Sequence, residues 1–123
     1  MNTQAKNLGL KHTKFGNPHG LPHPDARSTA IDIAKLSCAC LDLPFFEEIT
    51  NCKVYKATIP SGTSKRAVCW ENTNKLLRRE GFVGLKTGIT VTAGPCLACA
   101  YKFRDKIYVS VILRALKVSS RFR

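Results

Sequence analysis

The 123 residues suffice for one domain and fall short of two, and an apolar share of 44% beside 23% charged side chains matches a chain that buries a core rather than a disordered one. Twenty Lys and Arg against eight Asp and Glu leave a formal charge of +12, which favours an anionic ligand or an acidic neighbouring chain without choosing between them. The longest apolar stretches, such as Tyr108 to Leu113, fall far below the roughly 20 residues of a membrane-spanning helix, and no stripe of basic residues interleaved with aromatics marks a nucleic-acid groove.

Met1 to Lys6 lacks the apolar run of a secretory signal. Residues 2–8 read as the end of a helix, with Gly9 at the position that commonly terminates one. Asn17 to Asp25 holds three of the six prolines and reads as loop. Ser28 then takes the place of an N-cap, because Ile33, Leu36, Cys40 and Leu41 recur at helical spacing until Pro44 stops the run, which predicts a helix over about 28–42. A short helix over 45–50 follows. Beyond residue 50 the pattern alternates. Val54, Tyr55, Ala57 and Ile59 predict a strand, Pro60-Ser61-Gly62 a turn, and Ala67–Trp70 a second strand. Three more strands are expected at about 82–90, 95–103 and 107–114, the last two joined by a tight turn around Arg104-Asp105-Lys106. Helices over about 1–50 followed by strands over about 51–118 imply a single α+β domain, its sheet antiparallel or mixed, filling 1–123.

The chemical candidate is Lys86-Thr87-Gly88 within the third strand. On a strand Lys86 and Gly88 share one face and Thr87 takes the other. The glycine lets an extended peptide approach the sheet edge, the lysine offers a fixed positive charge, and the threonine hydroxyl can donate to a carboxylate. His19 and His23, with His12 nearby, lie in the proline-rich loop and read as loop structure rather than metal ligands. Cys96-x-x-Cys99 has a spacing used for zinc, but a strand sends the two thiols to opposite faces. No metal or cofactor is expected, and the six cysteines read as reduced thiols.

Four blocks follow one another in order: Asn17-Pro18-His19-Gly20-Leu21-Pro22; Ser28-Thr29-Ala30-x-Asp32-Ile33-Ala34; Asn72-Thr73-Asn74-Lys75-Leu76-Leu77; and Gly84-Leu85-Lys86-Thr87-Gly88-x-Thr90-x-x-Ala93-Gly94-x-Cys96-Leu97. Together they closely resemble the serine-type D-alanyl-D-alanine carboxypeptidases, the penicillin-binding peptidases. The resemblance implies a β-lactamase/transpeptidase-like fold and hydrolysis of the terminal D-alanine of peptidoglycan peptides. That family works with Ser-x-x-Lys, Ser-x-Asn and Lys-Thr-Gly. Only the third occurs here: no serine is followed by Lys three positions on or by Asn two positions on. The likeness begins just after the place where the missing motifs would stand. The chain therefore reads as an incomplete catalytic domain, a fragment or degenerate form that is inactive alone, or else as a non-catalytic binding or assembly module on the same scaffold.

Carried onto matching positions, the resemblance gives Lys86 an electrostatic and hydrogen-bonding part in catalysis. It gives Thr87 the substrate's terminal carboxylate and the N–H of Ile89 one oxyanion contact beside Gly88. Arg121 stands where the family often has a carboxylate-orienting arginine, and is equally readable as a basic residue opening a helix. The implied ligand is a D-Ala-D-Ala peptide or a β-lactam. Strands missing from the chain would leave an edge bare, to be covered by a protein partner.

Overall fold

A computed structural model of the chain describes residues 1–122. Three helices come first: α1 (Asn2–Asn7), α2 (Ala30–Leu41) and α3 (Pro44–Asn51). Gly9 follows α1 in a left-handed conformation, φ 66°, as its place after the helix led one to expect. The cap of α2 is Thr29 rather than Ser28. The Thr29 hydroxyl accepts the Asp32 N–H at 3.2 Å, while the Ser28 hydroxyl is 2.8 Å from that of Thr13 and donates to the Thr29 carbonyl at 3.5 Å instead of accepting a first-turn N–H. Pro44 stops α2 and opens α3 at its first turn, where a missing N–H costs nothing.

β1 (Val54–Ser61) and β2 (Ser64–Glu71) form a two-stranded antiparallel sheet, in register from Val54 opposite Glu71 to Ser61 opposite Ser64. The expected turn at Pro60-Ser61-Gly62 shifts to Gly62-Thr63, and Pro60 stays in the strand opposite Lys65. Gly62, at φ 60°, supplies the positive φ that a two-residue hairpin needs at its first central position. Proline is tolerated because both strands are edges.

β3 (Phe82–Thr90), β4 (Gly94–Phe103) and β5 (Lys106–Ile112) make a separate antiparallel sheet in that order. β3 matches the expected 82–90, and a two-residue turn, Arg104-Asp105, joins β4 to β5. β5 ends at Ile112 rather than 114, because Arg114 turns to φ 52° and Ala115 donates its N–H to Pro95 at 2.8 Å. The division into two sheets was not expected from the run of strands. Its cause lies between β2 and β3, where a 3₁₀ turn at Lys75–Arg78 buries Leu76 and Leu77 and leads the chain away from β2. A second 3₁₀ turn, Ser120–Phe122, stands where Arg121 was also readable as a residue opening a helix. Segments this short carry no periodicity.

The three-stranded sheet has two unlike faces. Leu85, Ala98 and Ala100 face the helices, packed by Ile33 and Leu41 of α2, Phe46 of α3, and Val83, Val109 and Val111. On the other face Leu76, Leu97 and Cys99 pack with Phe82 and Phe122. That second layer is thin, and Tyr101, Phe103 and Tyr108 at its margin stay exposed.

Candidate functional site

β3 is an edge strand, so its outer main-chain groups are free of sheet pairing and border whatever lies beside it. Between Val83 and Lys86 its register with β4 slips by one residue, a bulge that re-aims the stretch that follows. Past the bulge, Lys86 and Gly88 are exposed, whereas Thr87 between them is 7% exposed. Lys86 Nζ donates to the Thr87 carbonyl, and Ile89 stands out at 57% exposure.

Beside this strand runs a groove of about 1,090 Å³, lined on one wall by Lys86 to Thr90 and on the other by His19 to Pro24, with Thr73 and Arg121 also at its surface. The loop wall is built locally. The Asn17 side chain donates to Leu21 O and accepts from Gly20 N–H, each at 2.9 Å, and the ring Nδ1 atoms of His19 and His23 accept N–H groups two residues on. An antiparallel bridge of Lys14 with Arg27 closes the loop's base, and Lys14 Nζ meets Asp25 at 3.1 Å. That lysine's hydrogen bond holds the Asp25 carboxyl below its usual value.

Asp32, at the start of α2, ties the loop's stem to the helix. Its Oδ2 accepts the His12 N–H and the Thr13 hydroxyl, each at 2.8 Å. Burial pushes its pKa up, but the Thr13 hydroxyl and the His12 N–H outweigh that and hold it below the ordinary carboxylate value.

Arg121 lies in the second 3₁₀ turn, 6% exposed. Its Nη1 donates to Gly88 O at 2.9 Å and Cys96 O at 3.1 Å, so it clamps β3 to β4 under the groove, and its guanidinium lies 4.9 Å from the centre of the Phe122 ring. Its Nε is buried without a hydrogen-bond partner, and among the described residues no carboxylate comes within 4.0 Å of it. A buried guanidinium so placed makes the groove floor electropositive.

Lys86, Thr87, Gly88, Ile89 and Arg121, the residues singled out in the sequence, thus all border one groove. Two further linings of the groove went unread. The His19–Pro24 loop was taken only as structure. Thr73 was quoted within a sequence block and given no part, yet its hydroxyl lies 2.5 Å from that of Thr87. Cys96 and Cys99 point to opposite faces of β4, and Cys99 is buried beside Leu97, its thiol pKa raised by that burial. All six thiols are unpaired.

The family described as D-alanyl-D-alanine carboxypeptidase matches residues 1–117. A D-alanyl-D-alanine carboxypeptidase of a Streptomyces species is 30% identical over 124 residues, covering 98% of this chain and 43% of its own. One from Bacillus subtilis is 34% identical over 117 residues, covering 94% and 29%. The solved structure of a Streptomyces DD-transpeptidase superposes with a TM-score of 0.92 at 31% identity, over 98% of this chain and 47% of that one. The chain therefore spans less than half the length of these relatives, and its helices and antiparallel sheets are part of a DD-transpeptidase fold. It belongs to the D-alanyl-D-alanine carboxypeptidase family.

Proposed function

We propose that residues 1–123 form one wall of a penicillin-binding, serine-type D-Ala-D-Ala carboxypeptidase domain, with the attacking hydroxyl and its base contributed by atoms outside this chain. The substrate is a peptide ending in D-Ala-D-Ala, lying extended along the open edge of β3, and a β-lactam occupies the same place. Lys86 supplies positive charge and a hydrogen bond to the reacting end. Thr87 donates its hydroxyl to the terminal carboxylate. Gly88 leaves room for the peptide backbone, and the N–H of Ile89 is one of the two oxyanion donors. Arg121 acts on the carboxylate chiefly through its charge, since Nη1 is already committed to Gly88 and Cys96.

The observation that carries this reading is the convergence of Lys86, Thr87, Ile89 and Arg121 on one groove beside an unpaired strand edge. The 123 residues contain no Ser-x-x-Lys, so the chain alone is expected to bind without turning over. Incubation with a fluorescent penicillin should give no covalent adduct, while an N-acyl-D-Ala-D-Ala peptide should shift the Gly88 and Ile89 amide resonances saturably. A covalent adduct at any residue, or shifts confined to another surface, would contradict the assignment.

A second reading draws on the bare outer face of the sheet. Tyr101, Phe103 and Tyr108 are 36%, 49% and 54% exposed there, which favours a binding or assembly module whose protein partner covers that face and the free edge of β5. It is distinguished by a partner that binds equally well after Lys86→Ala.

A further inference from the structure

The Thr73–Thr87 hydroxyl pair carries an inference that rests on the anion-binding reading and goes beyond it. Two hydroxyls 2.5 Å apart share one proton between them, and either can be the donor. If Thr87 gives its proton to Thr73, the Thr87 hydroxyl has none left to offer a carboxylate, and Thr73 becomes the free hydroxyl donor at the groove instead. If Thr73 donates to Thr87, the Thr87 proton is free to point into the groove, and the hydrogen bond it accepts strengthens the one it gives.

Thr73 is held where only its own proton has to choose. Asn72 before it donates its amide to Thr50 O and Cys52 O, each at 3.1 Å, accepts the Asn74 N–H at 2.9 Å, and donates its own N–H to Lys53 O at 2.8 Å. Asn74 after it is 2% exposed, donates to Gly84 O and accepts the Leu76 N–H at 3.1 Å. Asn72 and Asn74 are thus locked to α3 and β3, so the Thr73 backbone is fixed while its side chain is open to solvent and borders the groove.

We infer that Thr73 is a positioning residue for anion recognition: it donates to Thr87 and so turns the Thr87 hydroxyl into a directed donor for a ligand's C-terminal carboxylate. An uncharged C-terminal amide draws much less on that donor, so Thr73 favours free peptide termini over capped ones.

The test is an amide-resonance titration of the 123-residue chain with N-acyl-D-Ala-D-Ala and with the same peptide as its C-terminal amide. Thr73→Val removes the hydroxyl at nearly constant shape. It should weaken carboxylate binding about fivefold, the worth of one neutral hydrogen bond, and leave amide binding within about twofold. Thr73→Ser should restore carboxylate affinity. Equal carboxylate affinity in wild type and Thr73→Val, an equal loss for both peptides, or a Thr73→Ser variant as weak as Thr73→Val would each overturn the inference. If Thr73→Val loses its native amide dispersion, Thr73→Ala against Thr73→Ser makes the same comparison. Failure of the wild-type chain to bind the carboxylate peptide sinks the underlying anion-site reading and this inference with it, a result plainly different from wild-type binding that ignores Thr73.

Discussion

Asp32 is 1% exposed and gathers the His12 N–H and the Thr13 hydroxyl on a single oxygen. These bonds depress its folded pKa below the ordinary value near 3.9, so its stabilising contribution is complete above that pH and is lost as the pH falls through the folded value. Asp25, depressed by Lys14, works in the same direction from an exposed position. Urea midpoints measured from neutral pH down to about 3 should therefore fall at the acid end. Asp32→Asn should be less stable at neutrality and show a flatter decline, whereas a decline as steep as the wild type's would place the acid sensitivity elsewhere. Asp32 was legible as part of a sequence block, and its helix was legible from periodicity. Its partners were not, because residues 12 and 13 lie some twenty positions away and no local spacing records the pairing. The capping residue was misjudged for a related reason: Ser28 and Thr29 are chemically interchangeable caps, and the choice fell to a tertiary contact, the Ser28 hydroxyl resting on Thr13.

The β1–β2 hairpin depends on Gly62 at φ 60°, with no other atom within 4 Å of where a Cβ would stand. Gly62→Ala therefore meets backbone strain alone, about 1 kcal/mol. Because the hairpin is a sheet of its own, and two-stranded sheets are marginal, the loss should be local. Hydrogen exchange should quicken at β1 and β2 amides and stay constant in β3–β5, whereas uniform quickening would mean that the two sheets unfold together. Leu97 is the contrasting case. It is 2% exposed within β4, and Leu97→Ala should cost about 3 kcal/mol in a urea melt of the whole unit, while a cost under about 1 kcal/mol would mean that the second face is too loosely packed to hold a cavity. Alternation made every strand visible in the sequence, and β3 was bounded correctly. The break between the sheets was invisible, since it comes from Leu76, Leu77 and Asn74 docking a four-residue turn, which has no period to read.

At the scale of the molecule, the helices cover one face of the three-stranded sheet, while on the other, among the described residues, Leu76, Phe82 and Phe122 pack with Leu97 and Cys99. A net charge of +12 opposes contact between the exposed aromatics of two copies. Raising salt from about 10 mM to 1 M, where the screening length falls from roughly 30 to 3 Å, should therefore promote self-association in sedimentation runs. Tyr108→Lys should suppress it, and association insensitive to both changes would point to another surface. The sequence by itself determined the order of helices and strands, the family, and a lysine, a threonine and a glycine on one strand, because periodicity and motif are properties of neighbours along the chain. Only the tertiary structure decided that Arg121 is a buried clamp beneath Gly88 and Cys96, that the His19–Pro24 loop walls the groove, and that Thr73 touches Thr87. Each of those facts joins residues separated by 14 positions or more, and a hydrogen bond across such a gap is set by where the folded backbone brings the groups, which no local pattern encodes.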